Sequence, residues 1–251
     1  MRIVWLSANK FGYELLKEAL KCKLPDSGIE AVITLAEGSD TIMYDGVPEN
    51  EWRSLGLPVR AVRNINEDVA IMNELRPDVV VMCGWRQIIG PDVLSAPKAS
   101  FVGFHPTLLP KGRGPAPIIN TILNGETRSG VTMFYVDGSL DGGDVIGQEG
   151  FDISADDYAS DVYGKVVEAG MALVRKYLPM VTAGNAPRVK QDESEATYLE
   201  KRSLKDNEID LSKDSPETIR RKIRAFSNPY RGAFIKVGGK KLVIWKADLA
   251  D

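Results

Sequence analysis

The sequence predicts an α/β protein: an open, mostly parallel sheet flanked by helices, with a small C-terminal helix and β-hairpin appended. Three observations carry this. Short apolar runs alternate with helix-periodic stretches over about the first 180 residues. Val79-Val80-Val81-Met82-Cys83 is apolar without alternation, as a strand covered on both faces requires. Near the end, Gly238-Gly239 separates two strand-like segments, a two-residue hairpin signal.

The elements follow in order. Arg2–Ala8 reads as a buried strand and Gly12–Lys23 as a helix with Leu15, Leu16, Ala19 and Leu20 on one face. Strands are expected at Ala31–Ala36 and Val59–Val62, then a helix over Glu67–Leu75 broken by Arg76-Pro77-Asp78. After Val79–Cys83 comes a buried strand at Ala99–Phe104, then a helix over Ala116–Leu123 stopped by Asn124-Gly125. Gly130–Val136 and Val145–Ile153 read as strands and Asp156–Leu178 as a long amphipathic helix. A sheet wrapped in this βαβ rhythm is Rossmann-like. Periodicity fades from Thr182 to Ser203, so 184–214 reads as a linker between a first domain, 1–183, and a last unit, 215–251. That unit opens with Ser215-Pro216, a cap followed by proline at the first helical position.

Composition narrows the function. With 251 residues, 43% hydrophobic and 27% charged, the chain is expected to be a soluble globular protein. No apolar run reaches the ~20 residues of a membrane helix. The short apolar N-terminus reads as a strand, not a leader, which places the protein in the cytoplasm. Cys22 and Cys83 are expected to be reduced and inert. Lys plus Arg number 32 against 35 for Asp plus Glu, which gives no hint of nucleic acid. Residues 196–251 are locally basic, by +5, with Arg220, Arg221, Lys222 and Arg224 close together.

One histidine sets the catalytic options, because any imidazole chemistry must use His105. One His and two distant Cys assemble no common zinc site. No phosphate loop is present, and Lys111-Gly112-Arg113-Gly114-Pro115-Ala116-Pro117 fails the dinucleotide pattern at Pro117. His105 follows a buried strand, where open sheets bind ligands, and Pro106 and Pro110 restrict the backbone around it. Asp141 lies in the glycine-rich Ser139-Leu140-Asp141-Gly142-Gly143-Asp144, where a turn role and a ligand role are both open. Spacing by itself does not pair the two.

These residues carry a resemblance to the 10-formyltetrahydrofolate-dependent formyltransferases. The matching segments are Phe104-His105-Pro106-Thr107-Leu108-Leu109-Pro110, Arg113-Gly114, Gly130-Val131-Thr132 and Leu140-Asp141-Gly142-Gly143. Asn228-Pro229-Tyr230-Arg231-Gly232-Ala233-Phe234 resembles the family's C-terminal unit. The resemblance implies that an amine attacks the formyl carbon of 10-formyltetrahydrofolate. His105 would donate to the resulting oxyanion or shuttle the amine proton, and Asp141 would orient the imidazole. It implies a pterin site along Trp85, Arg86, Gln87, Ile88, Val136, Asp137 and Leu140, largely through backbone groups. One departure stands out: Gly103 occupies the place of the family's Asn, so a side-chain donor to the formyl oxygen is missing.

Among the family's acceptors, the length and short C-terminal unit are closest to the sugar N-formyltransferase branch. A nucleotide-linked amino sugar is therefore the expected partner. Its phosphates need cations, and Lys10, Lys111 and Arg113 are the candidates. Methionyl-tRNA is the runner-up, although tRNA needs extensive phosphate neutralisation. A folate-binding or hydrolytic protein without amine transfer is the alternative that Gly103 raises. A homodimer through the hairpin is expected, since two strands alone have exposed edges and little core.

Overall fold

The computed structural model describes residues 1–39 and 44–250. Seven strands form one sheet: β1 (Arg2–Leu6), β2 (Gly28–Leu35), β3 (Val59–Val62), β4 (Val79–Met82), β5 (Ser100–His105), β6 (Arg128–Tyr135) and β7 (Val145–Asp152). Their spatial order is β3-β2-β1-β4-β5-β6-β7. The first five run parallel, whereas β6 and β7 are antiparallel additions at one edge. The sheet is α/β and mostly parallel, as the sequence predicts. The chain builds outward from β1 to β3, then resumes on the other side of β1 with β4. That reversal opens a crevice beyond the carboxyl ends of β1 and β4, the usual ligand address of such sheets.

Both faces are buried because the central strands carry apolar residues at every position. In β1, Ile3 and Trp5 join one core cluster while Val4 and Leu6 join the other. The first cluster lies under α1 (Lys10–Ala19), α5 (Pro117–Leu123) and α6 (Ala159–Thr182). Two short helices, Glu49–Ser54 (α2) and Pro91–Leu94 (α4), add to the sequence reading. The helix expected over Glu67–Leu75 is regular only over Ala70–Leu75 (α3).

The C-terminal unit consists of α7 (Pro216–Phe226) and the hairpin β8 (Ala233–Val237)–β9 (Lys240–Ile244). Ser215 caps α7, its hydroxyl accepting from Thr218 N at 3.2 Å. Gly238 and Gly239 turn the hairpin with φ of 54° and 77°, which two-residue hairpin turns require. Arg224, buried on α7, donates to the carbonyls of Asp157 (2.8 Å) and Ser154 (3.1 Å) just before α6. Two carbonyls that α6 leaves outside its own ladder thus hold the last unit to the first.

Residues 184–214, expected as a linker, are polar for a different reason. Thr197 and Leu199 pair with the loop after β5: Arg113 N donates to Thr197 O (2.9 Å) and Leu199 N to Arg113 O (2.8 Å). The segment crosses the loop after β5 as a strap.

Candidate active site

His105 is the last residue of β5, opposite Thr132 on β6. Its side chain is buried. The ring Nε2 lies 2.8 Å from the carbonyl of Gly112. A carbonyl only accepts, so Nε2 carries a proton, and Nδ1 is the ring nitrogen turned away from that carbonyl. Nδ1 faces Asp141 Oδ2 at 3.6 Å. Asp141 itself is in the left-handed conformation, φ 51°, and the same oxygen accepts from Gly114 N at 2.9 Å. The fold therefore pairs two residues that lie 36 positions apart in sequence.

The loop after His105 is held from below by side chains the sequence reading did not single out. Thr132 Oγ1 donates to Thr107 O (2.7 Å) and accepts from Leu109 N (3.0 Å). Gln148, on β7, donates to Leu109 O (2.7 Å) and to Thr132 Oγ1 (2.9 Å). Buried polar networks satisfied in this way fix a loop more rigidly than proline alone.

Arg113 is not free to meet a phosphate. Its side chain is 3% exposed, and its guanidinium donates to Glu193 at 2.7 and 2.9 Å and to Gln191 at 2.9 and 3.2 Å. Hydrogen bonding to Glu193 raises its already high pKa, so its charge is permanent. Gln191 in turn donates to the carbonyls of Asp141 and Gly143, each at 2.8 Å. Arg113 and Gln191 thus join the loop after β5 to the Asp141 loop through the strap. Lys111 is exposed and paired with Glu195 at 3.3 Å. Lys10 is exposed at the start of α1, its backbone N–H donating to Asp45 O at 2.9 Å.

The residues expected along the pterin lie on the segments that follow β4 and β6. Trp85 and Val136 pack on one core cluster, while Ile88 (90% exposed) and Leu140 (59% exposed) stand out as apolar lips. Asp137 is exposed and accepts from Ser139 N, shaping its own turn. Gln87 is a staple: its amide donates to Arg63 O and accepts from Ile65 N. Arg86 donates to Asp45 at 3.3 Å.

Gly103 is explained by packing. A Cβ built there would sit 2.8 Å from Val136 Cγ2 and 3.0 Å from Phe134 Cε1. Its φ is not left-handed, so the backbone does not demand glycine. The volume that an Asn side chain would need is occupied by Val136 and Phe134.

With this geometry in place, comparison with known proteins assigns the family. The formyl transferase family model matches residues 46–178, and the formyl transferase C-terminal domain model matches residues 202–251. The chain belongs to the formyl transferase family and is a transferase of formyl groups. A sugar N-formyltransferase from Shewanella shares its fold with TM-score 0.77 at 21% identity, covering 100% of this chain and 99% of that one. An N-formyltransferase from Helicobacter canadensis, solved with folinic acid and dTDP-3-aminofucose, gives TM-score 0.73 at 20% identity over 95% and 85% of the two chains. A variant of HypX from Aquifex aeolicus gives TM-score 0.68 at 22% identity over 98% of this chain, which spans 38% of that protein's length.

Proposed function

We propose that the protein transfers the formyl group of 10-formyltetrahydrofolate to the amine of a nucleotide-linked amino sugar, with His105 and Asp141 at the reacting centre. The observation that carries the reading is the buried imidazole with Nε2 fixed by Gly112 and Nδ1 turned toward Asp141 at 3.6 Å. In the neutral imidazole with its proton on Nε2, Nδ1 has a lone pair and is a base. As the acceptor nitrogen bonds to the formyl carbon, Nδ1 takes the amine proton. Asp141 stabilises the imidazolium that results, in a site shielded from water where such a charge counts for more. The proton then passes to the folate nitrogen as its bond to the formyl carbon breaks. With Val136 and Phe134 filling the space beside Gly103, the protonated imidazole is the donor left for the developing oxyanion.

Two features support a folate between the β4 and β6 loops. Trp85 Nε1 is a buried donor with no partner among the described residues. Ile88 and Leu140 offer apolar surface on either side. The folinic acid in the Helicobacter canadensis relative agrees with this.

For the acceptor, the cations move from Lys10, Lys111 and Arg113 to another place. Tyr44, Arg202, Asn207, Tyr230 and Arg231 line a cavity of about 70 Å³, the volume of roughly one phosphate group. Arg231 stands 5.5 Å from the centre of the Tyr44 ring, which packs edge-on against Tyr230. Arg231 and two aromatic rings suit a nucleoside diphosphate, and Arg202, held by Asn120 (2.8 Å) and Glu200 (3.1 Å), adds a second positive charge. The dTDP-linked sugar named for the Helicobacter canadensis relative is of this chemistry. No helix among the described residues is long and apolar enough to cross a membrane, and the reading places the enzyme in the cytoplasm. It includes a homodimer through the hairpin, whose Val237, Leu242, Val243 and Trp245 are exposed. The test is incubation with 10-formyltetrahydrofolate and UDP-, GDP- and dTDP-linked amino sugars, read by mass. A formylated sugar is expected. Formylation of methionyl-tRNA alone, or release of formate with no amine present, would overturn the acceptor.

A further inference from the structure

We propose that Asp45 is a positioning residue that fixes the donor loop, through Arg86, against the wall of the acceptor pocket, through its neighbour Tyr44. The proposal rests on the function read above and adds to it a residue that neither sequence pattern nor family resemblance picks out.

Asp45 lies outside every helix and strand, yet its side chain is only 5% exposed. A carboxylate in that position is costly unless each oxygen is met by donors. Three elements supply them. Asn9, at the carboxyl end of β1, donates to Oδ2 at 3.1 Å; the Tyr163 hydroxyl, on α6, donates to the same oxygen; Arg86, beyond β4, donates to Oδ1 at 3.3 Å. Burial first, and then the adjacent carboxylate, push the Tyr163 phenol up, so it remains a donor at any working pH.

The backbone around Asp45 is equally fixed. Its carbonyl accepts from Lys10 N (2.9 Å), and Val47 N donates to Ala8 O (3.1 Å). Asn9 also caps α1 by accepting from Gly12 N, and it lies so close to Gly84 that a Cβ there would come within 1.8 Å of its Oδ1. Gly84, at φ 63°, is the residue that lets the donor loop leave β4 beside Asn9. The carboxylate therefore stands in the crevice between β1 and β4, one residue from the Tyr44 ring that meets Tyr230 and Arg231. Donor loop and acceptor wall share one charged anchor.

The test uses the full-length protein, with 5-formyltetrahydrofolate and dTDP as probes for calorimetry. Asp45→Asn keeps the side-chain volume and removes the charge. Both dissociation constants should rise, by about ten- to a hundredfold, the loss expected of a charge-assisted hydrogen bond. The rate constant at saturating substrates should change far less. Arg86→Met cuts the link while leaving Asp45 and its other donors in place, so it should weaken 5-formyltetrahydrofolate and spare dTDP. A merely structural role predicts instead a lower fraction of active protein with both constants unchanged; that result overturns the proposal. Unchanged folate affinity in Arg86→Met does the same, even if Asp45→Asn fails to fold. Wild-type protein that binds no dTDP defeats the nucleotide reading and with it the acceptor half of this proposal, while the donor half is decided by the folate data alone.

Discussion

Two stretches of chain meet at His105 and could hardly differ more in sequence. The loop His105–Pro117 carries one histidine, four prolines and two glycines, and its pattern announces a site. Residues 184–202 are polar, without period, and read as a connection between domains. In the fold they are two sides of one structure. Thr197 receives Arg113 N and Gly112 N, and Gln191 spans from the Arg113 guanidinium to the carbonyls of Asp141 and Gly143. The difference teaches that periodicity reports burial of apolar faces. A segment whose work is to satisfy backbone donors and acceptors of another loop leaves no such trace.

The largest effect belongs to the announced loop: His105→Asn should lower kcat by about 10²- to 10⁴-fold, the usual span for a general base. Gln191→Ala, in the silent strap, should follow at up to about 100-fold in kcat, because misplacement by around 1 Å costs that much. Its affinity for 5-formyltetrahydrofolate should fall less than kcat, since Gln191 holds Asp141 and Gly143 and leaves the β4 loop untouched. A Gln191→Ala enzyme with wild-type kcat would make the strap a mere connection after all. Gly103→Asn should cost about 1–3 kcal/mol in stability, read by urea denaturation, because Val136 and Phe134 have to move aside. Its activity should fall too; a faster enzyme would mean that the space is vacant in solution. Lys111→Ala should be the smallest change, within about twofold in kcat/KM, since an exposed ion pair is worth at most ~1 kcal/mol.

Much of the fold was legible, for physical reasons that also mark the limit. β1, β4 and β5 are apolar on both faces and announce buried parallel strands. β6 is buried in much the same way and β7 only at its start, but their antiparallel direction depends on a connection through Asp137–Asp144 that composition does not reveal. α2 and α4, at six and four residues, are too short to show a helical period. At the site, His105 was legible because the chain has a single histidine. Asp141 was named by the family resemblance, and its 3.6 Å approach to the ring is what the fold adds. Arg113 looked like a phosphate ligand because sequence shows a charge without its partner; Glu193, 80 residues later, accounts for it. Asp45 could not be found, since one buried carboxylate in a loop looks like any other acidic residue.

His105 and Asp141 are expected to act as one unit in the transfer step. The direct measurement is the single-turnover rate of formyl transfer in His105→Asn, Asp141→Asn and the double variant, with 5-formyltetrahydrofolate affinity as the check on folding. If Nδ1 is the base and Asp141 stabilises its charged form, each single change causes a large loss and the double variant is little worse than His105→Asn. If the two losses multiply, or if His105→Asn transfers formyl at the wild-type rate, the pairing read from the structure is not the catalytic one.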